Sequence, residues 1–291
     1  MSGPTSAAPY AGPVRHPRNL YSGSAGSIHD DATATRLGFR GGTVAGSVHL
    51  DQFPPLLVRA FGERWFENGG LSVYFRNATT DGEPVQAFVA APADAGPDQQ
   101  VRVWMTQPDG TLVAEGTASI GRPAEPSALF ARDLRHVDPA TLRILMHVRP
   151  GDPLGPIDVT VNGERQQASL REGYLTEPLD WYGGSSPWGP PIASPSTTVS
   201  LLYNELLGTL RERLGPRVGL FGAIEIRHHA GPVLLNRSYT VSGEVVGVSE
   251  TPKTEVLWFD SRAHDGDGRL VAGMRMMLRS LKASSPLYDQ A

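Results

Sequence analysis

Apolar residues recur at helical spacing in the segment from residue 45 to residue 61. The positions that carry the pattern are Val48, Phe53, Leu57 and Phe61. Their spacing predicts one helix with a single apolar face. Pro54 and Pro55 either start this helix or bend it, because proline lacks the backbone N–H that a helix interior needs.

The period of the pattern then changes to two. Residues 71–92 and 99–121 alternate apolar and polar side chains. Each segment contains an Asp-Gly pair, Asp81-Gly82 in the first and Asp109-Gly110 in the second, of the kind that turns antiparallel hairpins. The first third of the chain is therefore predicted as a helix followed by antiparallel strands.

The second half repeats this order of elements. Residues 125–150 are an irregular connector in which 140–147 is predicted as a short helix. After it, residues 155–170 alternate as a strand, residues 197–214 carry one apolar stripe typical of a helix, and the chain alternates again up to residue 281.

Two segments match between the halves, TQPDGTLVAEGTASI and AHDGDGRLVAGMRMML, which predicts a duplication. A helix wrapped by one antiparallel sheet, made twice, buries both helices if the sheets join side by side. We therefore expect an α+β fold with repeats at 14–124 and 151–291, the connector at 125–150, and a disordered N-terminus at 1–13.

Composition limits the partners. The 291 residues are enough for two modules, and the net charge of -4 provides no basic surface for nucleic acid. The chain has no cysteine, which excludes disulfides, thiolate metal sites and a cysteine nucleophile. No segment approaches the roughly 20 apolar residues that cross a membrane, so no membrane partner and a cytoplasmic location are expected. Motifs of phosphate-binding loops, serine hydrolases and zinc proteases are absent from the sequence.

Residues 22–46 resemble the motif of the MaoC-like dehydratase and (R)-specific enoyl-CoA hydratase family. In that family the loop reads Ser-Gly-Asp-x-Asn-Pro-(Ile/Leu)-His-x-Asp, followed by Gly-Phe and by Pro-Ile-x-His-Gly. The residues that match are Ser22, Gly23, Ile28, His29, Asp31, Gly38, Phe39 and Gly46. Four positions differ: Ser24 stands for the catalytic aspartate, Gly26 for the asparagine, Ser27 for the proline and Ala45 for the later histidine.

The resemblance implies a double hot-dog fold. The second half is similar to the partner repeat of double hot-dog dehydratases, with GPPIASPST at the position of their Gly-Pro-(Ile/Val)-Ala-Pro-Pro-Thr loop. The activity it implies is a lyase step, hydration or elimination at the β-carbon of an acyl thioester that is carried by CoA or an acyl carrier protein. It implies no metal or redox cofactor, and it allows two copies to pair as a homodimer.

The family's functional residues carry over to matching positions. His29 is the expected proton carrier, Ser24 orients the hydroxyl or water, and the backbone N–H of Gly46 faces the thioester carbonyl. His49 and Asp31 are secondary catalytic candidates. The remaining expected substrate contacts are Tyr21, Gly26, Ala45 and Trp188.

Simpler roles compete with several of these assignments. Asp31 is also typical of a helix cap, and His49 of a polar residue on the outer edge of a helix. Trp188 and its aromatic neighbours either shape a pocket or fasten their loop to the core. His228 and His229 end a strand, with one side chain inward and one outward, which is more typical of a strand edge than of a metal site.

Because Ser24 replaces the catalytic aspartate, the sequence does not specify which reaction the protein catalyses. Ser24 cannot accept a proton at neutral pH, so the family's two-group relay lacks one member. A diverged isomerase, cyclase or thioesterase that needs one imidazole is therefore an alternative. A non-catalytic protein that binds an acyl ligand or a partner subunit is another, since a fold alone does not specify a reaction.

Overall fold

One antiparallel sheet of ten strands forms the frame of the protein in the computed structural model, which describes residues 7–289. The strands are β1 (Tyr10–Ala11), β2 (Gly69–Phe75), β3 (Gln86–Val89), β4 (Gln99–Thr106), β5 (Leu112–Ile120), β6 (Pro153–Thr160), β7 (Gly219–His228), β8 (Ser238–Glu250), β9 (Thr254–His264) and β10 (Leu270–Leu281). Their order across the sheet is β1-β3-β4-β5-β2-β7-β10-β9-β8-β6.

The two halves of the chain join at the centre of this sheet. Strands β1 to β5 form one side, strands β6 to β10 form the other, and β2 pairs with β7 from Gly70↔Arg227 to Tyr74↔Ala223. The expected pair of sheets joined side by side is thus present as one continuous sheet. At the N-terminus, where disorder is expected over 1–13, Tyr10–Ala11 pairs with β3, and residues 1–6 lie outside the described residues.

Six helices accompany the sheet in the described part of the chain. They are α1 (Asp31–Arg36), α2 (Gly46–Leu50), α3 (Pro54–Phe61), α4 (Trp65–Asn68), α5 (Gly163–Arg171) and α6 (Pro195–Gly208). The apolar side chains of α3 and α6, including Leu57 and Leu202, join one core cluster with the strands.

Three predicted elements differ from the structure. The single helix expected over residues 45–61 is two helices, because Pro54 begins α3 and the chain turns between Leu50 and Pro54. The helix expected over 140–147 is only a 3-10 turn at Pro139–Thr141. The strand expected over 155–170 ends at Thr160, and the Asn162 side chain then caps α5 by accepting a hydrogen bond from the Arg165 N–H.

The connector is held by a buried carboxylate from the second half. Glu255 on β9 has no exposed surface. Its two oxygens accept hydrogen bonds from three consecutive backbone N–H groups of the connector, those of Arg143, Ile144 and Leu145, at 2.8, 3.0 and 2.8 Å. The Tyr288 hydroxyl donates to the same carboxylate at 2.6 Å. These bonds replace the water that would otherwise solvate a buried charge.

Within residues 7–289, every helix is too short or too polar to cross a lipid bilayer.

Candidate active site

A cavity of about 900 Å³ lies between the loops of the first half and helix α6 of the second. Six of the predicted site residues line it: Tyr21, Ser24, His29, Ala45, Gly46 and His49. The opposite wall is formed by α6 and by the neighbouring ends of β7 and β10. Residues that are far apart in sequence therefore share one cavity.

The loop that carries His29 is fixed by hydrogen bonds to its backbone. The buried Asn19 side chain donates to the His29 carbonyl at 2.7 Å, and the His29 N–H donates to the Ser27 hydroxyl at 3.1 Å. Gly42 lies against the same carbonyl, and a Cβ at that position would stand 2.3 Å from the oxygen. The close approach of the two segments therefore requires glycine at position 42.

The tautomer of His29 follows from its partner. Nδ1 lies 2.7 Å from the carbonyl oxygen of Thr43, which can only accept, so Nδ1 carries the proton. Nε2 is then the unprotonated nitrogen, and within residues 7–289 it has no hydrogen-bond partner. Burial lowers the pKa of His29, while the bond to Thr43 opposes that shift. The half-buried imidazole is neutral near pH 7 and available as a base.

His49 occupies the cavity wall in a more buried position. Its Nε2 lies 2.9 Å from the Thr79 hydroxyl, and its Nδ1 has no partner in the described part of the chain. Burial lowers the pKa of His49 to about 4. The ring is therefore neutral and held by Thr79, which suits a positioning role better than proton transfer.

Helix α2 presents uncapped N–H groups beside the cavity. Its N-cap residue is Ala45, whose side chain makes no capping bond. The N–H groups of Gly46 and Ser47 donate to no group within the described residues. The Phe75 ring packs against Gly46 so closely that a Cβ there would stand 2.7 Å from two ring atoms. These N–H groups can therefore donate to water or to a ligand in the cavity.

In the second half, the positions equivalent to this site are occupied by side chains that hydrogen-bond to other groups of the protein. Val44 N donates to Thr79 O in the first half, and Ala193 N donates to Val233 O in the second, both at 2.8 Å. The carbonyl just before Val44 accepts from His29, whereas the carbonyl just before Ala193 accepts from the Gln166 amide at 2.9 Å. A glutamine therefore stands where the first half has its imidazole.

The backbone N–H groups at the start of α6, in the second half, all have hydrogen-bond partners. Gln166 accepts from the Ser194 N–H at 2.9 Å, and the Ser194 hydroxyl caps α6 by accepting from Thr197 N. The next N–H, that of Ser196, donates to the buried Asp51 carboxylate at 2.8 Å. The two halves share an architecture, but only the first leaves a titratable ring and free N–H donors at its helix start.

Two predicted site residues near the loop do not line the cavity. Asp31 accepts a hydrogen bond from Gly42 N at 2.7 Å and thereby braces the loop, while its neighbour Asp30 is the residue that caps α1, through Thr33 N. Gly26 has a positive φ of 80°, so glycine there serves the turn.

The aromatic loop packs away from the cavity. Trp188 contacts Trp181 and Phe66 with ring centroids 5.7 and 5.9 Å apart, so it fastens its loop to the core. His228 is buried against the Trp65 ring at 5.2 Å, and His229 points outward. Across residues 7–289 no three His, Asp or Glu side chains are gathered as metal ligands.

Comparisons with known proteins show likeness in structure. No family model matches the chain, and no curated protein matches it by sequence. A protein described as a MaoC-domain dehydratase from Chloroflexus aurantiacus J-10-fl superposes with a TM-score of 0.68 at 13% identity, covering 95% of this chain and 96% of that one. A conserved hypothetical protein from Mycobacterium tuberculosis with a double hot-dog fold gives 0.62 at 13% identity, covering 95% and 97%. A MaoC-like dehydratase gives 0.53 at 13% identity, covering 94% and 95%. The chain therefore has the double hot-dog fold of MaoC-domain dehydratases.

Proposed function

We propose that the protein is a lyase that adds or removes water at the β-carbon of an acyl thioester, with its one active site in the first half. One observation carries the proposal. In the first half the free Nε2 of His29 and the free N–H of Gly46 belong to residues that line one large cavity, whereas the second half has Gln166 at the position of His29 and Pro195, which lacks an N–H, at the position of Gly46. A pair of donor and base left without protein partners is what a reacting carbonyl compound requires.

The N–H groups at the start of α2 suit the thioester carbonyl. Removal of the α proton places negative charge on that oxygen, and an N–H at a helix start stabilises it. Gly46 and Ser47 supply two such donors. The half-buried cavity strengthens the interaction, because water screens charges less there.

His29 suits the proton transfer. In the elimination direction Nε2 takes the α proton, the C–H electron pair forms the double bond, and the C–O bond at the β-carbon breaks. The departing hydroxyl then receives the proton from His29 and leaves as water. One imidazole can serve as base and then as acid if both groups leave from the same face, and the Ser24 hydroxyl can orient the departing oxygen.

A binding protein without turnover is the second candidate. The lining of the cavity favours this candidate, because no Asp or Glu within residues 7–289 is part of it. His29 therefore has no carboxylate partner there. The choice of CoA or carrier protein, homodimer formation, the cytoplasmic location and the repeat boundaries at 14–124 and 151–291 remain predictions from the sequence.

A thioester panel separates these candidates. The protein is mixed with crotonyl-CoA and longer 2-enoyl-CoAs, and three quantities are followed: loss of the enoyl absorbance, release of free CoA thiol, and heat of binding. Loss of enoyl absorbance without thiol release supports the lyase. Thiol release indicates a thioesterase, and binding heat without either reaction indicates a binding protein; both results would overturn the proposal.

Gly46→Ala tests the carbonyl site. The new Cβ would stand 2.7 Å from the Phe75 ring, so either the ring or the start of α2, which carries the donors, must shift. We expect kcat/KM for enoyl-CoA hydration to fall about 10- to 100-fold, the effect of misplacing reacting groups by about 1 Å. The clash with the ring also lowers stability, so the Tm of the variant is measured beside its activity to show that the protein is folded at the assay temperature.

The matched control is the double variant Gly46→Ala/Phe75→Leu, in which the smaller side chain leaves room for the methyl group. Part of the lost activity should return in this variant. An unchanged kcat/KM in Gly46→Ala would argue against a carbonyl site at the start of α2.

A further inference from the structure

The cavity is strongly cationic although the chain as a whole carries a net charge of -4. Five basic side chains line it: Arg76, Arg165, Arg217, Lys253 and Arg279. No carboxylate of the described residues lines it. The surplus of positive charge around His29 therefore has to be balanced by solvent or by a ligand.

Three of these cations stand in exposed positions. Arg76 already pairs with Glu115 at 3.0 Å, and its charge is largely compensated. Arg165 and Lys253 are exposed, so water solvates them. These three side chains do not require an anion.

Arg217 is different because it is half-buried and unpaired. Among residues 7–289 it forms no ion pair, and its one hydrogen bond is a long contact of 3.5 Å from Nη1 to the Gly215 carbonyl. Its Nε is buried without a partner. Burial lowers the pKa of Arg217, which reflects the cost of keeping this charge poorly solvated. The side chain lies beside Tyr203 of α6, on the cavity wall.

Arg279 is a second cation on the cavity wall without an ion pair among residues 7–289, and it lies at a local irregularity of the sheet. The register between β7 and β10 shifts at Met277/Leu278, which leaves Gly222 unpaired. A Cβ on Gly222 would stand 2.8 Å from Arg279 Nε, so glycine allows this side chain to cross the strand. Arg279 Nε is also buried without a partner, and the nearby charges of Arg132 and Arg76 add repulsion.

We propose that Arg217 binds a carboxylate on the acyl part of the substrate, so that the preferred substrates are thioesters of dicarboxylic acids. The inference rests on the proposed function for the thioester part of the ligand. A carboxylate is small and planar and pairs with guanidinium through charge-assisted hydrogen bonds. The phosphates of a thioester carrier are the other source of anionic oxygens, and the exposed Arg165 and Lys253 suit them better than half-buried side chains do.

Binding of saturated thioesters tests this without any turnover. The affinities of glutaryl-CoA and adipyl-CoA are compared by calorimetry with those of pentanoyl-CoA and hexanoyl-CoA, which match them in chain length, and with CoA alone. Wild-type protein should bind each diacid thioester about tenfold or more tightly than its monoacid match, since one charge-assisted hydrogen bond changes affinity by at least that factor.

Arg217→Gln should abolish this preference and leave the affinities for monoacid thioesters and CoA unchanged. Arg217→Lys should keep part of the preference, and Arg135→Gln, an exposed arginine outside the cavity, should keep all of it.

Absence of a diacid preference in the wild-type protein would overturn the proposal. An equal loss of affinity for CoA and for every thioester in Arg217→Gln would overturn it as well, because the arginine would then bind a phosphate. The preference should persist in His29→Gln, so loss of the lyase proposal and loss of this one are separately visible.

Discussion

His29→Gln should remove hydration activity while the protein still folds and still binds thioesters. Glutamine at this position can make the same bond to the Thr43 carbonyl that the Gln166 amide makes to its counterpart in the second half. The loop therefore keeps its support, and only the base is lost. Positioned acid or base groups contribute about a hundredfold to ten-thousandfold to rate, so kcat should fall within that range.

The control for this variant is His16→Gln. His16 is exposed, bonds to the Gly82 carbonyl at 2.9 Å and does not line the cavity. Its kcat should equal that of the wild-type protein, and the calorimetric affinity for butyryl-CoA should be the same in all three proteins. Activity that survives His29→Gln would remove the assignment of His29 as the proton carrier.

Glu255→Ala should destabilise the protein more than any surface substitution. The change leaves the N–H groups of Arg143, Ile144 and Leu145 without their acceptor, in a region from which water is largely excluded. A buried donor without a partner costs about 1–3 kcal/mol, so we expect the free energy of unfolding to fall by roughly 3–5 kcal/mol. For a protein of this size that corresponds to a decrease in Tm of about 10 °C.

Glu250→Ala is the matched control, because Glu250 lies five residues earlier and pairs with Lys282 at the surface. An exposed ion pair of this kind contributes at most about 1 kcal/mol. Thermal unfolding of the two variants is compared under one buffer condition. Similar Tm values for Glu255→Ala and Glu250→Ala would contradict the role assigned to the buried carboxylate.

The sequence motif predicted many of the residues that line the cavity, but not the hydrogen bonds that fix their side chains. The loop pattern around His29 and the glycine at position 46 brought together residues that do line one cavity. The tautomer of His29 depends on the carbonyl of Thr43, and a backbone acceptor leaves no mark in the sequence because every residue type has one.

The role of Gln166 was missed because its helix was missed. The alternation of β6 continues toward residue 170, and this suggested one long strand. Asn162 was the available signal, since asparagine before a polar segment often caps a helix. Over residues 45–61 the sequence pattern predicted one helix where the structure has two. An apolar stripe can run across a turn when both helices pack on the same core.

The unpaired arginines could not be found from sequence. Arg217 and Arg279 belong to no motif that predicts an anion site. Pairing of β7 with β10 and the unpaired Gly222 bring them to one cavity, and both features are set by long-range register.

The protonation of His29 is the most direct test of the central claim that its Nε2 faces a bound thioester as a base. Nitrogen-15 NMR of histidine-labelled protein reports which ring nitrogen carries the proton, and His29→Gln identifies the signal. Near pH 7 Nδ1 should be protonated and Nε2 bare, with a pKa below 6.5 because burial disfavours the charged ring. The Nε2 signal should shift when butyryl-CoA binds. A proton on Nε2 near pH 7, or an Nε2 signal that bound thioester leaves unchanged, would contradict the account.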